Sequence, residues 1–373
     1  MILSQLLVLG ENKMRIIFSG GGTGGHIYPA LAIREMLLTK HSFESGYVGV
    51  TGGMEEKIVT RLPDIQFMGV RAQGMPRTLS TKWFSFPFVN AMGIVDAYKH
   101  LKKFKPDLVV ATGGFVSFPS LTAAKLLGIP YVIHEQNAAM GVTNKIFAKN
   151  AAKVLLTYES AAKTDDKRII LTGNPVRSAF LNQSSSESRF KKNEGEFTLL
   201  AVGGSRGALS INKACIALAN EWLPKHPEIK LIHISGERDH EMVTKAIEKQ
   251  PENYMLLPYL HEMKEAFDVA DLLISRAGAT ILSEIAVCKK PAILVPYPYA
   301  TDNHQEKNAR TLEKLGAAKV LLDKDLNLDN LVKLISEIRE NDNLSKMSEA
   351  MGKSRPEDVE DRILKQIEEV LNK

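Results

Sequence analysis

The chain has 373 residues, 44% apolar and 24% charged, which places it in the ordinary globular range with length for about two domains. A net charge of +5 and a pI near 8.9 are too mild and dispersed for nucleic-acid binding, although they suit contact with an anionic surface. The two cysteines, Cys215 and Cys288, each fall inside an apolar helical pattern, which argues against a disulfide framework and for a reducing compartment, the cytosol.

From the N-terminus, Met1 to Leu9 has neither a basic n-region nor a small-residue cleavage site, and no apolar run approaches the roughly 18 residues that span a bilayer. Residues 1 to 13 are expected to be an extension upstream of the first structural element, or of the true start codon. Beyond them, short apolar runs alternate with longer amphipathic segments, the pattern of parallel sheets covered by helices. Strands are predicted at Arg15 to Ser19, Tyr47 to Val50, Leu108 to Ala111, Tyr131 to His134 and Val154 to Leu156. A polar stretch from Asn182 to Glu196 has linker composition, and the pattern then restarts. Further strands are predicted at Phe197 to Val202, Lys230 to Ile234, Leu272 to Ser275, Ala292 to Val295 and Lys319 to Leu322.

The restart echoes the beginning. A strand leads into Gly-Gly-Gly-Thr-Gly-Gly at Gly20 to Gly25, and a second strand leads into Gly-Gly-Ser-Arg-Gly-Ala at Gly203 to Ala208. The fold class is therefore α/β, with two Rossmann-like, doubly wound domains in tandem. Near the C-terminus, Pro356, Glu357 and Asp358 mark a helix start, and Val359, Ile363, Ile367 and Val370 form a stripe that needs a surface, which the first domain can supply.

Ligands of open α/β sheets bind beyond the carboxyl ends of strands, where glycine turns and helix N-termini offer N–H groups to anions. Gly-x-Gly-x-x-Gly alone is a weak signal that also describes a plain turn. The first loop has no Lys-Ser/Thr ending, which disfavours a nucleotide P-loop. A dinucleotide site predicts an acidic end to the second strand, whereas Val48 to Gly53 has none. His26 follows the loop near a helix N-terminus, a place that favours a neutral imidazole able to take a proton from a hydroxyl, or one that merely caps the helix.

Asp323-Lys-Asp325 reads as a turn and cap rather than a metal site, and His134-Glu135 lacks a second histidine at zinc spacing because position 138 is Ala138. No metal and no cofactor are expected. Lys82 to Phe88, dense in aromatics with Arg71, Arg77 and Lys82 nearby, suits either a membrane headgroup boundary or a buried helix start.

Seven motifs occur in order: Gly20 to His26, Thr112 to Ser117, His134 to Asn137, Gly173 to Arg177, Gly203 to Ala208, Arg276 to Thr280 with Ser283 and Glu284, and Asp302 to Gln305 with Asn308 and Ala309. Together, over about residues 14 to 320, they resemble the MurG family of glycosyltransferases. The resemblance implies the GT-B fold, with residues 14–177 and the C-terminal helix 355–373 as an acceptor and membrane-facing domain, and residues 178–354 as the donor domain. It implies an inverting transfer of N-acetylglucosamine from UDP-N-acetylglucosamine (UDP-GlcNAc) to a lipid-anchored muramyl acceptor, lipid I, making lipid II with a β-1,4 linkage. It also implies peripheral attachment at the cytoplasmic face of a bacterial inner membrane.

Carried over by position, Arg177, Ser205, Leu260, Ala279, Thr280, Ile281, Leu282, Ser283, Glu284 and Gln305 hold the donor, and Thr23, Gly24, Gly25 and Asn137 reach its sugar side. Ser205 stands in a loop whose N–H groups can clasp a diphosphate, Arg177 can balance charge on the leaving UDP, and Glu284 can accept from both ribose hydroxyls. His26 is the expected base, with Glu135 as a possible helper or substitute. His304 stands where some members carry glutamine, which leaves individual sugar contacts open. A diacylglycerol glycosyltransferase, a UDP-GlcNAc epimerase of similar fold and a non-catalytic nucleotide-sugar sensor are the competing functions.

Overall fold

The computed structural model describes residues 13–76, 81–162, 165–182, 188–204 and 207–372. Arg77 and Ser205, and all but the last of the N-terminal residues 1 to 13, lie outside the described residues. The first half builds a seven-stranded parallel sheet from β1 Arg15–Gly20, β2 Glu44–Val50, β3 Ile65–Val70, β4 Leu108–Gly113, β5 Tyr131–Glu135, β6 Lys153–Leu156 and β7 Ile169–Leu171, in the order 3-2-1-4-5-6-7. The second half builds a six-stranded parallel sheet from β8 Phe197–Val202, β9 Ile229–Ile234, β10 Tyr254–Leu257, β11 Leu272–Ser275, β12 Ala292–Leu294 and β13 Ala318–Val320, in the order 10-9-8-11-12-13.

Parallel strands joined by helical crossovers are covered on both faces, so their residues are apolar in unbroken runs rather than alternately. Strand β1 shows the consequence. Ile16 and Phe18 pack toward Ile27, Leu31 and Ile33 of helix Gly24–Leu38, whereas Ile17 between them packs toward Leu101 and Leu121 on the opposite face. The second sheet is sandwiched in the same way, with Leu200 and Val202 on one face and Leu199 and Ala201 on the other.

The chain finally returns to its first half. Helix Val359–Leu371 buries Val359, Ile363, Leu364, Ile367 and Val370 in the same cluster as Ile16, Ile33 and Leu37, as its apolar stripe requires. His41 with Glu368 at 2.7 Å and Lys153 with Glu369 at 2.8 Å frame that packing. In each sheet the strand order reverses beside the first strand, between β1 and β4 and between β8 and β11. The two glycine loops come directly after β1 and β8 and therefore open at these switch points, where open α/β sheets hold their ligands.

Candidate active site

A cleft of about 1040 Å³ runs between the halves. Thr23, Gly24, Gly25, His26, Tyr28, Asn137 and Arg177 line its first side, and Gly203, Gly204, Gly207, Ala208, Leu260, Ala279, Thr280, Ile281, Glu284 and Gln305 its second. Residues predicted from both halves thus meet in one space.

His26 lies in the first turn of helix Gly24–Leu38, with its ring over Gly113 and Gly114. Its Nδ1 is 2.9 Å from the Thr112 carbonyl oxygen and 3.2 Å from Gln136 Oε1. A carbonyl can only accept, so Nδ1 carries the hydrogen and Nε2 keeps the lone pair. Gln136 is held in turn, because its Nε2 donates to His134 Nδ1 at 3.1 Å and to the His134 carbonyl at 2.9 Å. Burial lowers His134 to about 4, so it stays neutral, and its Nε2–H donates to the Gly173 carbonyl at 3.0 Å. Every donor in this chain of bonds points the same way, which fixes the tautomer of His26.

Glu284, on helix Ala279–Val287, receives Arg177 Nη2 at 2.7 Å and Arg177 Nε at 3.1 Å, both on Oε1. That leaves Oε2 for a hydroxyl donor at the cleft wall. Burial raises the Glu284 carboxyl above its ordinary range and Arg177 opposes the rise. The Arg177 guanidinium also lies 4.9 Å from the centre of the Tyr28 ring, and Tyr28 lines the cleft together with Tyr259 of the second half. Burial, then Tyr259, push the Tyr28 hydroxyl up to about 12, so it keeps its proton.

Two pairs of side chains tie the halves together below the cleft. Asn308 Oδ1 accepts from the Ala138 N–H at 2.9 Å, and Asn308 Nδ2 donates to Asn137 Oδ1 and the Ala277 carbonyl, each at 3.3 Å. Asn174 Nδ2 donates to Ser283 Oγ at 2.9 Å. Gln305 is anchored through Oε1, which accepts from the Tyr297 N–H at 2.9 Å and the Ala277 N–H at 3.3 Å.

Three of the candidates make their contacts elsewhere. Leu282 is 2% exposed and packs in the core of the second half, on the side of the helix away from residues 280 and 284, and Ser283 accepts from Asn174 at the joint, so neither is among the residues that line the cleft. Glu135 makes no hydrogen bond to His26 among the described residues. Its carboxylate accepts from the N–H groups of Asn137 and Gly141 and from Asn144 Nδ2, shaping the 137–144 loop, while Thr112 and Gln136 hold the imidazole.

Asp323 of the Asp-x-Asp triplet takes hydrogen bonds from Ser210 and Arg276, a side-chain knot at the rim of the cleft. Tyr28, Tyr259, Gln136 and Arg276 were not predicted as site residues. Tyr28 sits in an apolar helical pattern and Tyr259 in a loop, and neither position carries a local sign of the contact they make across the cleft.

A model of the glycosyltransferase family 28 C-terminal domain matches residues 198–363, and one of the family's N-terminal domain matches residues 16–156. A Halothermothrix orenii protein named UDP-N-acetylglucosamine--N-acetylmuramyl-(pentapeptide) pyrophosphoryl-undecaprenol N-acetylglucosamine transferase is 42% identical, the match covering 91% of this chain and 95% of the relative. The chain belongs to glycosyltransferase family 28, among the MurG transferases. A Desulfitobacterium hafniense protein of the same name is 43% identical, with 94% of this chain and 98% of that protein covered. The crystal structure of Acinetobacter baumannii MurG aligns with a TM-score of 0.73 at 26% identity, covering 95% of this chain and 99% of that one. The two family 28 domains correspond to the two sheets, and His26 and Glu284 both line the cleft between them.

Proposed function

We propose that this family 28 enzyme transfers N-acetylglucosamine from UDP-GlcNAc to the 4-hydroxyl of the muramyl unit in undecaprenyl-pyrophosphoryl-N-acetylmuramyl pentapeptide, lipid I, in one inverting displacement. The observation that carries it is an imidazole of fixed tautomer, its Nε2 lone pair unclaimed by any described residue, in the same cleft as a buried carboxylate with one free oxygen.

His26 Nε2 takes the proton of the acceptor hydroxyl as its oxygen attacks the anomeric carbon. The bond from that carbon to the diphosphate breaks on the opposite side, and its electron pair leaves with UDP. Glu284 accepts from the ribose hydroxyls, and Arg177, holding Glu284 through Oε1, keeps that carboxylate charged in a buried place. The glycine loop after β8 and the N-terminus of helix Ala279–Val287 present backbone N–H groups to the diphosphate, where negative charge grows as the bond breaks. Incubation with UDP-GlcNAc should release UDP with lipid I present, and not with diacylglycerol or with no acceptor. Release with diacylglycerol, or epimerised sugar without any acceptor, refutes the assignment.

Among the described residues no helix is long and apolar enough to cross a membrane, so a lipid-linked acceptor has to be met at the membrane surface. Helix Lys82–Phe104 begins with Trp83, Phe84 and Phe88, which are 44%, 86% and 69% exposed rather than buried. Of the cations nearby, Arg71 is paired with Asp96 at 2.7 Å. We place the membrane contact at this helix start. Replacing Phe84 and Phe88 together by serine should weaken co-sedimentation with anionic phospholipid vesicles by about 10-fold or more. Turnover of a water-soluble, short-chain acceptor should hold, and undiminished vesicle binding would exclude this surface.

A further inference from the structure

We propose that Glu55 is a positioning residue that holds the first glycine loop, and through it His26, in reactive shape; this rests on the assignment of His26 as the base. Glu55 lies in the first turn of helix Met54–Val59, after β2, and is 1% exposed. Buried carboxylates ordinarily pair with a cation. Among the described residues Glu55 forms no ion pair, and its partners are peptide N–H groups: Oε1 accepts from Val50 at 2.9 Å and Oε2 from Gly22 at 3.3 Å. The side chain thus joins the turn after β2 to the loop that leads into His26.

The surrounding sequence makes room for it. A side chain at Gly21 would place its first carbon 2.7 Å from the Glu55 carboxyl carbon, and one at Gly49 would come 2.6 Å from Glu55 Cγ. Gly22, whose N–H it receives, has a φ of +80°, one of the several backbone shapes open to glycine, so a partner outside the turn is needed to select it. Among the described residues the loop's other side-chain fastenings are neutral: Tyr47 OH donates to the Gly20 carbonyl at 2.6 Å, and Thr112 Oγ1 donates to the His26 carbonyl at 2.6 Å. Glu55 is the acidic side chain among these fastenings, and no step of the transfer uses it.

The test is Glu55→Gln, which keeps the shape but turns an amide NH2 toward one of the two N–H donors. Its kcat should fall about 10-fold or more, because misplacement of a reacting group by less than an ångström is costly. The affinity for UDP should stay near wild type, since Glu284, Gln305 and the second glycine loop, which face the nucleotide, lie in the other half, whereas Thr23 to Gly25 of this loop reach only the sugar. The His26 ring resonance, identified by its loss in His26→Ala, should shift in the variant's histidine NMR spectrum. Wild-type kcat, a fall in kcat with the His26 resonance unmoved, or a parallel loss of UDP affinity would each overturn the proposal. If Glu55→Gln does not fold, Glu55→Asp, one methylene shorter, is read by the same three measurements. Full turnover by His26→Ala would instead remove the base, a failure distinct from that of Glu55.

Discussion

Replacing His26 by alanine is expected to lower kcat by about two to four orders of magnitude, the usual contribution of a positioned general base. The affinity for UDP should change by no more than about twofold, because the loss falls on the reacting centre and not on uniform donor binding. The reason lies in the hydrogen bonds of the ring. Nδ1 is committed to the Thr112 carbonyl and Gln136, so Nε2 is the nitrogen presented to the cleft. Glu135, the alternative by sequence, has its carboxylate bound by Asn137, Gly141 and Asn144. A variant that retained wild-type turnover would show that the proton leaves by another route.

Arg177→Ala should cost about 3 kcal/mol of stability, the lower end of the range for removing one partner of a buried ion pair. Glu284 is 4% exposed, and without Arg177 its carboxylate has no cation in contact. The loss depends on pH with a definite sign. Burial already holds the Glu284 carboxyl above its unfolded value of 4.5, Arg177 pulls it down, and its removal lets it rise further. A carboxyl whose folded value is raised destabilises the fold above that value, and the penalty is relieved as pH falls through it toward 4.5. The stability gap between Arg177→Ala and wild type should therefore be wide near neutrality and narrow in mild acid, as denaturant unfolding at several pH values will show. Adding Glu284→Gln should recover much of the loss without recovering UDP-GlcNAc binding. A gap of constant size across pH would mean that the arginine stabilises through its contacts with Tyr28 and Phe180 instead.

The architecture was legible because central strands of a parallel sheet must be apolar on both faces, so Arg15 to Ser19 or Leu272 to Ser275 stand out without an alternating pattern. The three strands left unpredicted, Ile65–Val70, Ile169–Leu171 and Tyr254–Leu257, are all at sheet edges, where one neighbour is missing and burial demands less of the sequence. A local pattern was enough to single out His26, which follows a glycine loop at a helix start and lines the cleft. It failed where a side chain's direction decides the matter. Leu282 and Ser283 belong to the same short motif as Thr280 and Glu284, yet Leu282 packs into the core and Ser283 bonds Asn174 at the joint, contacts set by tertiary neighbours. Tyr28, Tyr259 and Gln136 act through partners far away in the chain, contacts that no local pattern encodes.

The central claim is a single displacement with His26 as the base, and the stereochemistry of the product tests it most directly. Proton NMR of the disaccharide released from the lipid product, made from the α-linked donor UDP-GlcNAc, should show a β-configured bond to the muramyl 4-oxygen, with one UDP formed per bond. An α-configured bond would require two displacements or an ion-pair return, and would contradict the account.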